Sequence, residues 1–212
     1  MLHRFSDRTA LLDARGKNGA LVDADLSFLD LSGLDLSGLN LSGALLSGSH
    51  FLDTLFDGCD CSAIFVQWAD LKGARFRRAR LAEAFFQHSQ LQRCDFSDAI
   101  MTGMNILVCQ LENGQLQRAD LTGGQVLGTN FTDADFTGAS LRQVNLREAV
   151  LTGARLIDCD LRAADFRKAD LHNAIIRNVQ TEAALFYGKA PWSKQETDPT
   201  DWEQQLPRFD GE

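Results

Sequence analysis

Lysine and arginine are absent from the whole stretch between Asn18 and Leu71, and proline is absent from the first 190 of the 212 residues. Other absences set further limits. No apolar run approaches the ~20 residues of a membrane-spanning helix. The opening MLHRFSDRTALLDARGKNG lacks the unbroken apolar stretch and small-residue cleavage site of a secretory signal, so a cytoplasmic protein without a membrane partner is expected. Five cysteines, an odd number, fit no disulfide framework, and the CDC at 59–61 is not a CxxC pair, so they read as small apolar residues. His3, His50, His88 and His172 neither cluster nor pair with cysteines at zinc-ligand spacing, so no metal site is expected. No Ser/His/Asp set, Cys/His pair or glycine-rich phosphate loop can be assembled with matching spacing. The expectation is a protein with no catalytic residues and no cofactor, hence not an enzyme.

What the chain does have is a ruler. In LSGLDLSGLNLSGALLSG, residues 31–48, leucine recurs every fifth residue, and stepping by five in both directions meets an apolar residue at every position from Leu26 to Ile176. Those 31 positions comprise 17 Leu and 8 Phe. Independent scatter at 44% apolar content would give such a run with a probability on the order of 10⁻¹¹, so the Ser/Gly-punctuated tract is ordered repeat and not a linker. Two residues earlier in each unit, Ala, Ser, Thr, Gly, Cys and small aliphatics dominate. Two positions in five therefore point inward.

A period of five suits neither the 3.6-residue helix nor the two-residue strand. A helix would smear these residues around its circumference, and no side could bury them. A chain that turns a corner every five residues resolves the conflict, because the middle of each short edge then faces one axis. Four edges close a coil of about 20 residues, and coils stacked at the ~4.8 Å strand spacing make residues 24–178 a rod of ~38 Å. Stepping by 20 then puts Leu36, Phe56, Phe76, Phe96, Leu116, Phe136, Leu156 and Ile176 in one interior column. Large Leu29, Leu34 and Leu39 at the small positions mark a wider first coil, covered by the N-terminal segment, in which Ser6 would cap a short helix over residues 7–14.

The units ADLSF, ADLKG, ADLTG, ADFTG, ADFRK and ADLHN resemble the A(D/N)Lxx unit of the pentapeptide-repeat family, over about three quarters of the chain. The resemblance implies an all-β fold, a right-handed quadrilateral β-helix, here with short helical caps. The expected organisation is an N-terminal cap over residues 1–20, the β-helix over 21–180, and a C-terminal capping or dimerisation module over 181–212. That tail holds all three prolines and the aromatic residues Phe186, Tyr187, Trp192 and Trp202, with Leu206 beside Trp202 on a short helix started by the capping box TDWE. It is expected either to lid its own chain or to join two copies in a homodimer.

Two surface features point to function. Residues 21–70 carry eight aspartates and no lysine or arginine; Asp25, Asp30, Asp35, Asp53, Asp57, Asp60 and Asp70 are the candidate acidic face. A rigid acidic rod could imitate duplex DNA. The resemblance implies the same, because Qnr-like quinolone-resistance members are described as DNA-mimicking rods that engage DNA gyrase or topoisomerase IV. This chain departs from them in having no inserted loop between residues 24 and 178, and in carrying Arg75, Arg77, Arg78 and Arg80 in RFRRAR. Direct nucleic-acid binding is not expected, given the net charge of −8. The second feature is apolar: Phe28, Leu45, Phe65, Trp68 and Phe85 fall on one side, a patch for another protein or for the chain's own ends. The alternative to a topoisomerase-binding DNA mimic is therefore a regulatory or structural scaffold unrelated to gyrase.

Overall fold

The computed structural model describes residues 3–14 and 21–186. Within them the chain winds as a four-walled parallel β-helix. Four ladders of parallel bridges start at Asp25↔Leu45, Asp30↔His50, Asp35↔Leu55 and Asn40↔Asp60, each repeating at a step of 20 residues. Wall 1 comprises residues 24–28 and their equivalents 20, 40 and more residues on; walls 2, 3 and 4 begin at 29, 34 and 39. The ladders lengthen into recognisable strands at five places after the N-terminal region: β3 (Phe65–Gln67), β4 (Phe85–Gln87) and β5 (Asn105–Leu107) on wall 1, and β6 (Arg155–Ile157) and β7 (Ile175–Arg177) on wall 3.

All 34 positions of the five-residue ruler from Leu21 to Phe186 are buried. Burying a Leu or Phe contributes about 1.5–3 kcal/mol of transfer free energy, which offsets the ordering entropy of a chain that makes no long strand. Along the wall 3 column the Phe56 and Phe76 rings stack at 4.6 Å, and Phe76 and Phe96 at 5.0 Å, so the aromatic column read from the 20-residue step is a continuous ring stack here.

The corners explain the rest of the unit. Two residues after each inward side chain the backbone has positive φ, at all 33 such positions from Asp23 to Ala183. Glycine fills 11 of them and other residues 22. The Asp or Asn just before the inward residue closes the same corner: Asp30 Oδ1 accepts from the Ser32 N–H at 3.1 Å, Asn40 Oδ1 from Ser42 at 2.9 Å, and Asp120 Oδ1 from Thr122 at 3.0 Å. Asp and Asn alternate freely because both supply that acceptor. At some corners after wall 1 a buried hydroxyl completes the turn: Ser49 accepts from the Leu29 N–H and donates to the Leu26 carbonyl, and Thr129 does the same for Cys109 and Ile106.

Both ends differ from the sequence reading in detail. At the N-terminus β1 (His3–Arg4) pairs in parallel with β2 (Ala24–Asp25), extending wall 1 by a partial coil, and α1 (Arg8–Ala14) follows. The helix cap is Asp7, not Ser6: Asp7 Oδ1 accepts from the Ala10 N–H at 2.9 Å, while the Ser6 hydroxyl donates to the Asp7 carboxylate. Leu11 is fully buried and Arg8 donates to the Ser32 carbonyl, so the helix lies against the wide first coil, where Leu29 and Leu34 are also buried. At the other end the coil runs past residue 180. Thr181 occupies an inward position, and Phe186, assigned to the tail from sequence, is interior: it is 4% exposed, five residues beyond Thr181. The polar Thr181 interrupts the apolar ruler and hides the continuation. Tyr187, Trp192, Trp202 and Leu206 lie outside the described residues.

Candidate interaction surfaces

Every wall directs its backbone hydrogen bonds along the rod axis. Leu26 N–H donates to Leu45, and Leu45 N–H to Ala24, with the same pattern on each wall. The sides therefore offer no free strand edge, and a partner meets side chains only.

The walls differ sharply in charge. Wall 2 carries six acidic and two basic residues between Asp30 and Asn173, and wall 4, opposite it, five acidic and three basic between Asn40 and Ala183. Wall 3 balances six of each. On wall 1 the five edges 44–48, 64–68, 84–88, 104–108 and 124–128 contain no Asp, Glu, Lys or Arg at all.

The seven aspartates of the candidate acidic face do not share a face. Asp25 is on wall 1, Asp30, Asp53 and Asp70 on wall 2, Asp35 and Asp57 on wall 3, and Asp60 on wall 4, because charge recurs at a step of five while a wall recurs at 20. They form a girdle around the first coils. Five of them, Asp25, Asp30, Asp35, Asp60 and Asp70, each accept a corner N–H. Hydrogen bonds from Ser27 hold the Asp25 carboxyl below the usual carboxylate range, with Arg4 adding to the effect, and hydrogen bonds from Ser62 do so for Asp60, with Arg80 adding. Asp25 and Asp60 therefore stay ionised at neutral pH.

Two of the four arginines of RFRRAR pair within the same lattice. Arg75 pairs with Asp57 at 2.7 Å, Arg77 with Asp95 at 2.5 Å, and Arg118, two coils further along, grips Asp98 through two hydrogen bonds. Asp57, Gly58, Arg77, Arg78, Ser97, Asp98 and Arg118 line an open groove on wall 3 of about 630 Å³, with three arginines against two aspartates. Arg80 turns the corner onto wall 4.

The apolar patch does gather on one wall. Leu45, Phe65 and Phe85 are successive partners in the wall 1 ladder, and the Phe65 and Phe85 rings stack at 5.0 Å. At the far end of the same edges Phe28 is 75% and Trp68 67% exposed; Trp68 stacks on His88 at 4.3 Å. Val108 and Leu127 add to the same wall, which thus holds five of the seven large exposed hydrophobics among the described residues.

All five cysteines are buried; burial pushes the Cys109 thiol up to about 11 and Cys159 to about 12, which makes both poor nucleophiles. Among the described residues no group of three His, Cys, Asp or Glu is placed to hold a metal ion, and no helix is long and apolar enough to cross a membrane.

The repeat is decisive. Pentapeptide repeats match the chain as eight copies, at residues 24–62, 66–104, 115–153 and 145–179. The chain belongs to the pentapeptide-repeat family. Several solved structures are similar to this chain. A pentapeptide repeat protein from the Arabidopsis thaliana thylakoid lumen is 26% identical, covering 47% of this chain and 70% of its own, with a TM-score of 0.45. Full-length QnrB1, a plasmid-mediated fluoroquinolone resistance protein, is 18% identical over 88% of this chain and 94% of its own, with a TM-score of 0.44. HetL, a pentapeptide repeat protein involved in heterocyst differentiation regulation from the cyanobacterium Nostoc sp. strain PCC 7120, is 23% identical over 86% and 98%, with a TM-score of 0.31. No curated protein matches the sequence.

Proposed function

We propose that this pentapeptide-repeat protein is a non-enzymatic binding rod whose acidic N-terminal coils stand in for duplex DNA on a type II topoisomerase, DNA gyrase or topoisomerase IV, protecting or moderating the enzyme. One observation carries the reading. Residues 21–70 hold eight aspartates and no lysine or arginine. They occupy two and a half coils, about 12 Å of axis at the ~4.8 Å coil spacing. That is about one negative charge per 1.5 Å, against about one per 1.7 Å in duplex DNA. Unlike a flat acidic patch, the girdle wraps the rod, with charge concentrated on walls 2, 3 and 4 and Asp25 as the one charge on wall 1. An enzyme groove shaped for a charged cylinder is the matching surface, and type II topoisomerase is the target that the likeness of the repeats to Qnr-like members suggests.

A gyrase supercoiling assay with and without a quinolone tests it. The expected result is a change in supercoiling, or relief of quinolone inhibition, at micromolar protein. Asn at positions 30, 35 and 60 keeps the corner acceptor while removing three charges, so the triple variant should fold normally, bind gyrase more weakly and show a flatter salt dependence. No effect of the wild-type protein in either condition excludes topoisomerase and leaves a scaffold for a different protein.

A further inference from the structure

The described coil ends on the same wall that gathers the exposed hydrophobic side chains. Phe186 is buried on the wall 1 edge of the ninth coil, eight steps of 20 residues after Leu26. Beyond it the five-residue ruler fails, with Glu196 and Asp201 where inward residues would stand. The 26 residues after Phe186 are therefore joined to wall 1 and not to the acidic walls 2 and 4. They carry the only Tyr and two of the three Trp of the sequence. At the opposite end of the rod β1 and α1 are already placed, on wall 1 and against the first coil.

We propose that residues 187–212 fold back along wall 1 of their own chain, with Trp192 beside Leu127 and Val108, and with Trp202 and Leu206 across Phe65, Trp68 and Phe85. The reach is sufficient. The Leu127 edge lies three coils, about 14 Å, from that of Phe186, and the Phe65 edge six coils, about 29 Å. Six residues from Phe186 to Trp192 span up to ~20 Å, and sixteen to Trp202 up to ~53 Å, at ~3.3 Å per residue. The chemistry also fits. A docked indole needs an apolar bed for its ring and an acceptor for its N–H, and wall 1 sets the amides of Gln67, Gln87 and Gln125 among its aromatic and aliphatic side chains.

Charge and tethering select this occupant. Residues 187–212 carry six acidic and three basic side chains. Wall 2, with six acidic against two basic residues, and wall 4, with five against three, repel such a segment. Wall 1 has five edges without charge, and between them and Phe186 its edges 144–148 and 164–168 hold Arg147, Arg167 and Lys168 against Glu148 and Asp165. A contiguous apolar face of this kind is ordinarily covered. A segment joined to the wall by a few residues meets it at an effective concentration of about millimolar. A free protein or a second copy at micromolar concentration would need a contact about 10³-fold tighter to displace it.

The test uses the full chain and no topoisomerase, so its failure is distinct from failure of the DNA-mimic reading. Trypsin cleavage after Lys194, followed by mass spectrometry, reads whether the segment is held. Trp68→Arg should speed that cleavage at least tenfold, whereas Leu52→Arg, at an exposed hydrophobic on wall 2, should leave it unchanged. Trp68 has the positive φ that Arg78, Arg93 and Arg118 already adopt, and an unchanged circular dichroism spectrum checks the fold. Cross-linking then reads the location. All native cysteines are buried, so a chain carrying Ser193→Cys and Gln125→Cys presents only the two new thiols. Mild oxidation should close an intramolecular disulfide at least tenfold faster in this variant than in one carrying Ser193→Cys and Arg155→Cys. Arg155 is on wall 3 and nearer to Phe186 along the axis, so a segment not held on wall 1 would reach it as readily. Equal rates for the two pairs, cleavage indifferent to Trp68→Arg, or disulfide-linked dimers in place of closed monomers would each overturn the proposal.

Discussion

At the residue position that follows each corner, the chain accepts a backbone conformation that L side chains rarely adopt, 22 times with a residue other than glycine. The left-handed conformation costs roughly 1–2 kcal/mol per residue without glycine, so the inter-coil bonds and core must hold it. Two glycines separate the strain from the space. Gly33 has φ 68° and nothing within 4 Å of a Cβ, so Gly33→Ala should cost about 1 kcal/mol from backbone strain alone. Gly43 has φ 70°, and its Cβ would collide with the Asp23 carboxylate, so Gly43→Ala should cost more. Chemical denaturation of both variants checks the order; equal costs would mean that Asp23 moves aside freely. The Ser/Gly dipeptides are legible in sequence as corners. The aspartates are legible only as charge, because an acceptor used by a backbone N–H two residues on, as at Asp30 and Asp60, looks the same in one dimension as a carboxylate facing solvent.

The element here is the wall, built from edges too short to be stable alone and held by stacking on the next coil. Phe76 shows the dependence: its ring lies between Phe56 and Phe96, parallel to each within 9°, and it is 1% exposed. Phe76→Ala should destabilise the protein by about 3–5 kcal/mol, since the coils above and below cannot close a gap without breaking their ladders. A measured loss below about 1 kcal/mol would contradict a packed interior at that column. The periodicity makes this column readable from sequence, because a step of 20 is a strict consequence of four edges of five. The ends are less readable. Thr181 breaks an apolar ruler without breaking the coil, and the choice of Asp7 over Ser6 as helix cap depends on where the chain leaves β1, which no local pattern records.

For the whole molecule, the same lattice that spreads aspartates over four walls ties its stability to pH. Asp60 and Asp160 have carboxyls held below the ordinary range chiefly by hydrogen bonds, from Ser62 and Arg162 respectively. Asp135 and Asp165 are also lowered: burial opposes ionisation there and hydrogen bonds from Thr137 and Arg167 overcome it. A carboxyl whose folded pKa lies below its unfolded value of about 3.9 binds its proton more readily when unfolded. Its contribution is therefore complete above the unfolded value and is lost as pH falls through the folded one. The apparent Tm should be level from neutral pH down to about pH 5 and fall steeply below about pH 4, as carboxylates on several coils protonate together. Because Asn keeps the corner acceptor but cannot titrate, Asp60→Asn combined with Asp135→Asn should make that fall shallower, whereas substitution of the same pair by Ala should lower the Tm at neutral pH as well. A Tm that declines equally in wild type and the Asn variant would place the acid sensitivity outside the corners.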